Sequence, residues 1–300
     1  VTPIPRSLDP ALLASIGDLE LVARVTVEGS VSGLHRSPFH GYSAEFSQYR
    51  HYRVGDDLKY IDWKLFARTD RLYTKQYRET TNLRVLAAVD ASASMGYRGA
   101  GDVSKLDYAR MIAAALAYLL IGQGDAVGLV GYGERVNAFV GARAGQPHLR
   151  RLLVALARLE AGGSTDAVAA VRHSIDLLDR RGLLLLMSDL YDEDARMEAE
   201  LRRAATMGHE VALFHVLTRD EIEFPFRGDV EIVDVESGRT VLTHGATEAA
   251  AYRARFGAFL ERWSGRCSCL GIDYTQVVTD TPLDVALRGY LLKRLERGGR

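Results

Sequence analysis

The chain predicts an α/β fold, a doubly wound and mostly parallel sheet with helices on both faces. Leu83 to Val89 and Leu183 to Met187 are almost unbroken apolar runs, as in strands buried on both sides. From Leu83 onward such runs alternate with helical stretches, the pattern of a parallel sheet built from β–α–β units. The stretch Lys105 to Ile121 is apolar nearly all round, with Met111, Ile112, Leu116, Leu119 and Leu120, which suits a helix packed deep on a sheet.

The elements follow in order. Asp9-Pro10 reads as a helix start, and Leu12, Leu13, Ile16, Leu19 and Val22 continue at helical spacing toward Arg24. Val25 to Gly33 reads as a loop or short strand. After the strand at Leu83 and the helix at Lys105, strands are expected at Asp125–Gly131 and Arg135–Val140. The short link Gly131-Tyr132-Gly133-Glu134 makes the second an antiparallel edge strand. Helices are expected at Pro147–Leu159 and Thr165–Arg181, the latter ended by Gly182. The strand Leu183–Met187, a helix Asp194–Met207 closed by Gly208, and a strand Glu210–Leu217 come next. Glu221 to His244 interrupts the alternation with a β-hairpin whose turn is Glu236-Ser237-Gly238. Helix Thr247–Cys267, strand Asp273–Val278 and helix Pro282–Arg297 complete the chain. The division expected is an N-terminal extension, 1–82, packed on a core of 83–300 that carries the hairpin insertion 221–244.

Composition bounds the function. Hydrophobic residues make up 47% of the 300 residues, enough for a sizeable core, and the net charge of −1 argues against a nucleic-acid protein. Cys267 and Cys269 suit neither a disulfide nor a zinc site and read as thiols in a reducing compartment. No apolar run of about eighteen residues is present, and the proline-bearing Val1–Pro10 is not a signal peptide. A cytoplasmic protein is therefore expected.

His35 to Arg78 interleaves basic residues with aromatics, a composition that can bind single-stranded nucleic acid. Glu45, Asp56, Asp57, Asp62 and Asp70 lie among them, so the preferred reading is a compact segment short of regular structure, fixed by Arg–Asp pairs. Gly55, Asp56, Asp57, Asp62, Trp63 and Arg68 are its framework candidates, with Trp63 buried and Asp57 or Asp62 paired with an arginine.

The chemistry is concentrated after the first core strand. The run stops at Asp90, and Ser92 and Ser94 follow. Ligands bind just beyond the carboxyl ends of strands in open α/β sheets. One carboxylate and two hydroxyls are hard oxygen donors, suited to Mg²⁺, Mn²⁺ or Ca²⁺. The bland alternative is that Asp90 caps the next helix or holds the turn.

This Asp-x-Ser-x-Ser pattern resembles the metal-ion-dependent adhesion site of von Willebrand factor A domains. The resemblance implies a completing Thr from a second loop and an Asp after a later strand. Gly162-Gly163-Ser164-Thr165-Asp166 and Ser188-Asp189 are the matching stretches, so the implied set is Asp90, Ser92, Ser94, Thr165 and Asp189 around Mg²⁺ or Mn²⁺. Ser164 leaves open which hydroxyl of the second loop serves. Direct bonds are implied from Ser92, Ser94 and Thr165, and water-mediated ones from the two aspartates. The implied strand order is 3-2-1-4-5-6 with the third antiparallel.

Arg53-Val54-Gly55-Asp56-Asp57-Leu58-Lys59-Tyr60-Ile61-Asp62-Trp63-Lys64 with Ala67-Arg68, together with His35-Arg36-Ser37, Glu45-Phe46 and Asp280-Thr281-Pro282-Leu283, resembles the bacterial family of unknown function numbered fifty-eight. Members are often encoded beside MoxR-type AAA ATPases, and many carry membrane helices that this sequence does not resemble. The resemblance implies a metal-dependent adaptor that takes a partner carboxylate and works with a MoxR-type ATPase or its client in assembling or maturing protein complexes. A metal-dependent phosphoester hydrolase is the enzymatic alternative. No Gly-x-Ser-x-Gly elbow or Walker A sequence supports an enzyme. Nucleic-acid binding through 35–78 is the third reading.

Overall fold

The computed structural model describes residues 19–28, 43–53, 56–57, 60–80, 83–178, 181–191 and 195–298. At its centre is a six-stranded sheet of β3 (Arg84–Asp90), β4 (Ala126–Tyr132), β5 (Val136–Arg143), β6 (Gly182–Ser188), β7 (Glu210–Leu217) and β10 (Asp273–Val278). The spatial order is β10-β7-β6-β3-β4-β5, and only β5 runs antiparallel. Counted along the sheet, this is the 3-2-1-4-5-6 order that the resemblance implies.

Alternate residues of β3 feed two separate cores, as the two-residue period of a strand requires. Val85, Ala87 and Val89 pack with α3 (Lys105–Gly122), α4 (Gln146–Ala157) and α9 (Leu283–Gly298). Leu86 and Ala88 pack on the other face with α5 (Ala167–Leu177), α6 (Ala195–Thr206) and α8 (Gly245–Cys269). Both sheet faces are therefore dry, and the apolar runs of β3 and β6 follow from that.

Several boundaries differ from expectation. Helix α1 spans 19–28, so 25–28 are helical and not loop; Leu19, Ala23 and Val27 join the first core at helical spacing. The proposed start at Asp9-Pro10 lies outside the described residues. Helix α5 ends at Leu177, and Gly182 opens β6 instead of closing the helix. A Cβ at Gly182 would lie 2.5 Å from the Arg84 carbonyl oxygen, so close strand approach explains this glycine. Gly208 does close α6, with φ +81°. The hairpin is present as β8 (Asp229–Val233) and β9 (Thr240–His244). A short helix, α7 (Arg219–Glu223), precedes it; five residues are too few for periodicity to reveal, although its capping box, Thr218 with Glu221, is legible.

The basic-aromatic segment is more regular than expected. β1 (Ser43–His51) pairs antiparallel with β2 (Tyr73–Thr80), and α2 (Trp63–Thr69) lies between them in sequence. Arg50 pairs with Asp56, held at 2.8 and 2.9 Å. Asp56 also accepts from the Arg53 amide at 2.9 Å and is held below the usual carboxylate range, chiefly by that bond and by Arg50. Asp62 is the N-cap of α2, accepting from the Lys64 and Leu65 amides at 3.0 Å and from the Tyr49 hydroxyl at 2.9 Å. Asp57 and Arg68 are exposed, and Gly55 lies outside the described residues.

Trp63 is not buried; it is 58% exposed, on a helix none of whose side chains is buried. Trp263, fully buried in the second core, is the structural tryptophan. Trp63→Ala should therefore change the unfolding free energy by less than about 1 kcal/mol, whereas Trp263→Ala should cost about 3–5 kcal/mol. Urea unfolding of both variants measures the difference; equal losses would contradict this assignment.

Candidate metal centre

The parallel pairing of β3 with β6 brings Val89 opposite Met187, so the chain leaves both strands side by side. Asp90 ends β3 and Asp189 follows β6, and both side chains are buried at the carboxyl edge of the sheet. This is the switch point, because connections from β3 and β6 go to opposite sides.

The loop after β3 is tied down at each step. Asp90 Oδ1 accepts from the Ser92 amide at 3.0 Å, and Asp90 Oδ2 accepts from the Ser188 hydroxyl at 2.7 Å. Asp90 thus does hold the turn. Ser92 caps the following short 3₁₀ turn, Ala93–Gly96, without using its hydroxyl. The hydroxyls of Ser92 and Ser94 instead face each other at 3.1 Å.

The second loop joins this one through backbone bonds. The Ala93 amide donates to the Gly163 carbonyl at 2.9 Å, and the Gly162 amide donates to the Ala91 carbonyl at 3.0 Å. Asp166 caps α5 by accepting from the Ala169 amide. Ser164 is exposed, whereas Thr165 Oγ1 is buried without a hydrogen-bond partner. A buried hydroxyl left unpaired costs about 1–3 kcal/mol and calls for an explanation.

Electrostatics add to that cost. Burial and the neighbouring Asp189 push Asp90 up to about 7. Leu190, next to Asp189, has φ +54°, a left-handed conformation that costs a branched residue about 1–2 kcal/mol. Its amide donates to the Ser188 hydroxyl at 3.0 Å. His215 steadies the same turn: its Nε2–H donates to the Asp189 carbonyl at 2.8 Å, so its Nδ1 accepts from the Tyr274 hydroxyl at 2.7 Å. Burial pushes this imidazole down to about 4, so it stays neutral.

Two charged residues of the site were not anticipated. Lys105, fully buried, donates from Nζ to Asp189 Oδ2 at 2.7 Å and to Glu221 Oε1 at 2.6 Å. Its ammonium also lies 4.8 Å from the centre of the Tyr191 ring. Burial alone would lower its pKa, but Asp189 and Glu221 outweigh that and raise it. The signal in the sequence was its position: a lysine opens α3, where the helix dipole disfavours a cation. Ser104 caps that helix and Asp107 supplies the usual first-turn acid.

The described residues fit a hard divalent cation. The candidate donors are hydroxyl and carboxylate oxygens, one hydroxyl has no other partner, and Asp90, Asp189 and Glu221 against Lys105 leave two formal negative charges in a dry site. No cluster of three or more His, Cys, Asp and Glu residues suited to a metal occurs among the described residues, so these hydroxyls would have to complete the ligand set.

The family description "Protein of unknown function DUF58" matches residues 48–263. The chain belongs to this family. It is 31% identical over 233 residues to the uncharacterized protein Mb1516 of Mycobacterium bovis, covering 77% of this chain and 73% of that one. Its fold is similar to BatB from Bacteroides thetaiotaomicron (16% identity, 71% and 99% of the chains, TM-score 0.48). It is also similar to an aerotolerance-related membrane protein from Bacteroides fragilis (15%, 72% and 99%, TM-score 0.47) and to the SpRpn10 VWA domain (9%, 68% and 93%, TM-score 0.43). The cytoplasmic placement expected from the sequence does not stand, since the set of similar structures includes proteins named as membrane proteins. No helix among the described residues is long and apolar enough to cross a membrane.

A folded pKa raised above the unfolded value of 3.8 means that Asp90 favours the fold at low pH and that this contribution is lost as pH rises toward about 7. In chelator at pH 8, Asp90→Asn should therefore unfold roughly 2–4 °C above wild type, and the gap should close toward pH 4. Thermal unfolding followed by circular dichroism reads this; a variant less stable than wild type at pH 8 would contradict the charge strain assigned to Asp90.

Proposed function

We propose that this chain is a metal-dependent protein-binding module. Ser92, Ser94 and Thr165 would hold Mg²⁺ or Mn²⁺, with Asp90 and Asp189 acting through water. The observation that carries the reading is the buried, unpartnered Thr165 hydroxyl on a loop bonded to the Asp90–Ser94 turn. Both oxygens of Asp90 already accept hydrogen bonds from protein donors, which suits an outer role for it.

Bound there, the cation would supply an electrophilic position for a carboxylate oxygen of a partner protein. Few direct carboxylate ligands would leave its charge largely unquenched. The partner proposed is a MoxR-type AAA ATPase or its client, and the work is assembly or maturation of protein complexes.

A hydrolase is disfavoured by the wiring of His215. Its two nitrogens are committed to the Asp189 carbonyl and the Tyr274 hydroxyl. A general base needs hydrogen-bond reach to the proton it takes. The described part of the basic-aromatic segment uses Asp56 and Asp62 for its own ion pair and helix cap, which favours a framework over a nucleic-acid surface.

Calorimetry with Mn²⁺ tests the reading. Wild type should bind one ion, and Thr165→Ala should weaken binding by at least about tenfold while its melting temperature in chelator is unchanged or higher. Equal Mn²⁺ affinity in the two proteins would remove Thr165 from the site, and no binding by wild type would reject the metal-dependent reading.

A further inference from the structure

Lys105 stands out among the buried charges because no ligand set implied by the Asp-x-Ser-x-Ser pattern includes it. It lies at the start of α3, fully buried, with its ammonium between Asp189 and Glu221. Its three N–H groups have two carboxylate oxygens and the face of the Tyr191 ring as neighbours. Glu221 is itself pinned: its Oε2 accepts from the Thr218 amide at 2.7 Å and from the Thr218 hydroxyl at 3.1 Å, closing the capping box of α7. The ammonium therefore sits in a fixed cradle made by the turn after β6, α3 and α7.

We infer that Lys105 is a positioning residue for the metal centre, a resident counter-cation that holds Asp189 Oδ2 and limits how tightly the site grips a divalent ion. This inference rests on the metal-dependent reading above. An ammonium on Asp189 Oδ2 competes with any other cation for that oxygen. It also repels a divalent ion across a dry medium, where charge interactions are strong. The consequence is a site that holds its cation loosely and leaves it electron-poor, ready for a partner's carboxylate. A site with Asp189 free would hold the ion more tightly and have less need of an outside ligand.

A purely structural lysine, one that only ties α3 to α7, predicts something different. Removing it would loosen the fold and leave metal affinity unchanged or worse. The two roles separate on variants that differ at Lys105 alone. Glu221→Gln keeps an acceptor for the Thr218 amide but leaves Lys105 with Asp189 as its one carboxylate. The ammonium then bears more heavily on Asp189, and Mn²⁺ binding should weaken about threefold or more. Lys105→Met with Glu221→Gln removes one buried charge of each sign, so the net buried charge is unchanged while Asp189 is released. Mn²⁺ binding should then tighten by about tenfold or more relative to wild type.

The experiment is Mn²⁺ calorimetry on wild type, Glu221→Gln and the double variant, with thermal unfolding in chelator alongside. Opposite shifts in affinity, weaker for Glu221→Gln and tighter for the double variant, support Lys105 as the counter-cation. A folded double variant that binds Mn²⁺ no tighter than wild type overturns it. If the double variant does not fold, Glu221→Gln still decides: unchanged or tighter binding overturns the inference. Wild type that binds no Mn²⁺ overturns the metal-dependent reading itself, and the inference with it.

Discussion

Strands β3 and β6 run parallel and adjacent, and each leads into a buried aspartate at the same edge of the sheet. That juxtaposition sets the conditions for the rest of the site. Two carboxylates in a dry crevice repel each other, so each needs donors or a cation. Asp90 takes the Ser92 amide and the Ser188 hydroxyl, and Asp189 takes Lys105. Lys105 in turn needs Glu221, and Glu221 fixes α7 through its capping box. A chain of charge and hydrogen bonding thus runs from the switch point of the sheet to the helix that precedes the β8–β9 hairpin.

The fold accepts several local costs together at this edge. Leu190 adopts a left-handed backbone, Thr165 keeps a buried hydroxyl unpaired, and Asp90 is raised toward neutrality by burial and by Asp189. Each costs of the order of a kcal/mol or more. The two apolar cores on either face of the sheet are where the stabilising burial is concentrated. Several such costs gathered at one edge and supported by well-packed layers are the arrangement expected of a binding site, where local rules yield to function.

The central sheet was legible because periodicity and burial agree there. Each apolar run from β3 onward falls on a strand or on a helix buried against it, and the short turn after β4 correctly marks β5 as antiparallel. Asp90, Ser92 and Ser94 stood out because the apolar run stops at them, whereas Thr165 and Asp189 came from the resemblance to the adhesion site. Their partners were less legible. Lys105 and Glu221 are 116 positions apart and meet only because α3 and α7 converge on Asp189. A lysine at the start of an apolar helix looks like a poor choice until its counter-charges are known. Trp63 misled for the opposite reason: a large aromatic in an acidic-basic motif suggests a core anchor, but α2 buries none of its side chains. Short elements such as α7, and tight strand approaches such as the one at Gly182, are set by tertiary neighbours that no local window contains.

The central claim is that the edge formed by Asp90, Ser92, Ser94, Thr165 and Asp189 holds a divalent cation. Anomalous diffraction from crystals grown with Mn²⁺ tests it most directly. The account predicts one strong peak within about 2.0–2.4 Å of Ser92 Oγ, Ser94 Oγ and Thr165 Oγ1, with Asp189 Oδ2 still paired to Lys105 Nζ. An absence of manganese density at this edge in such crystals, or a peak bound directly by Asp189 Oδ2 with Lys105 displaced, would contradict it.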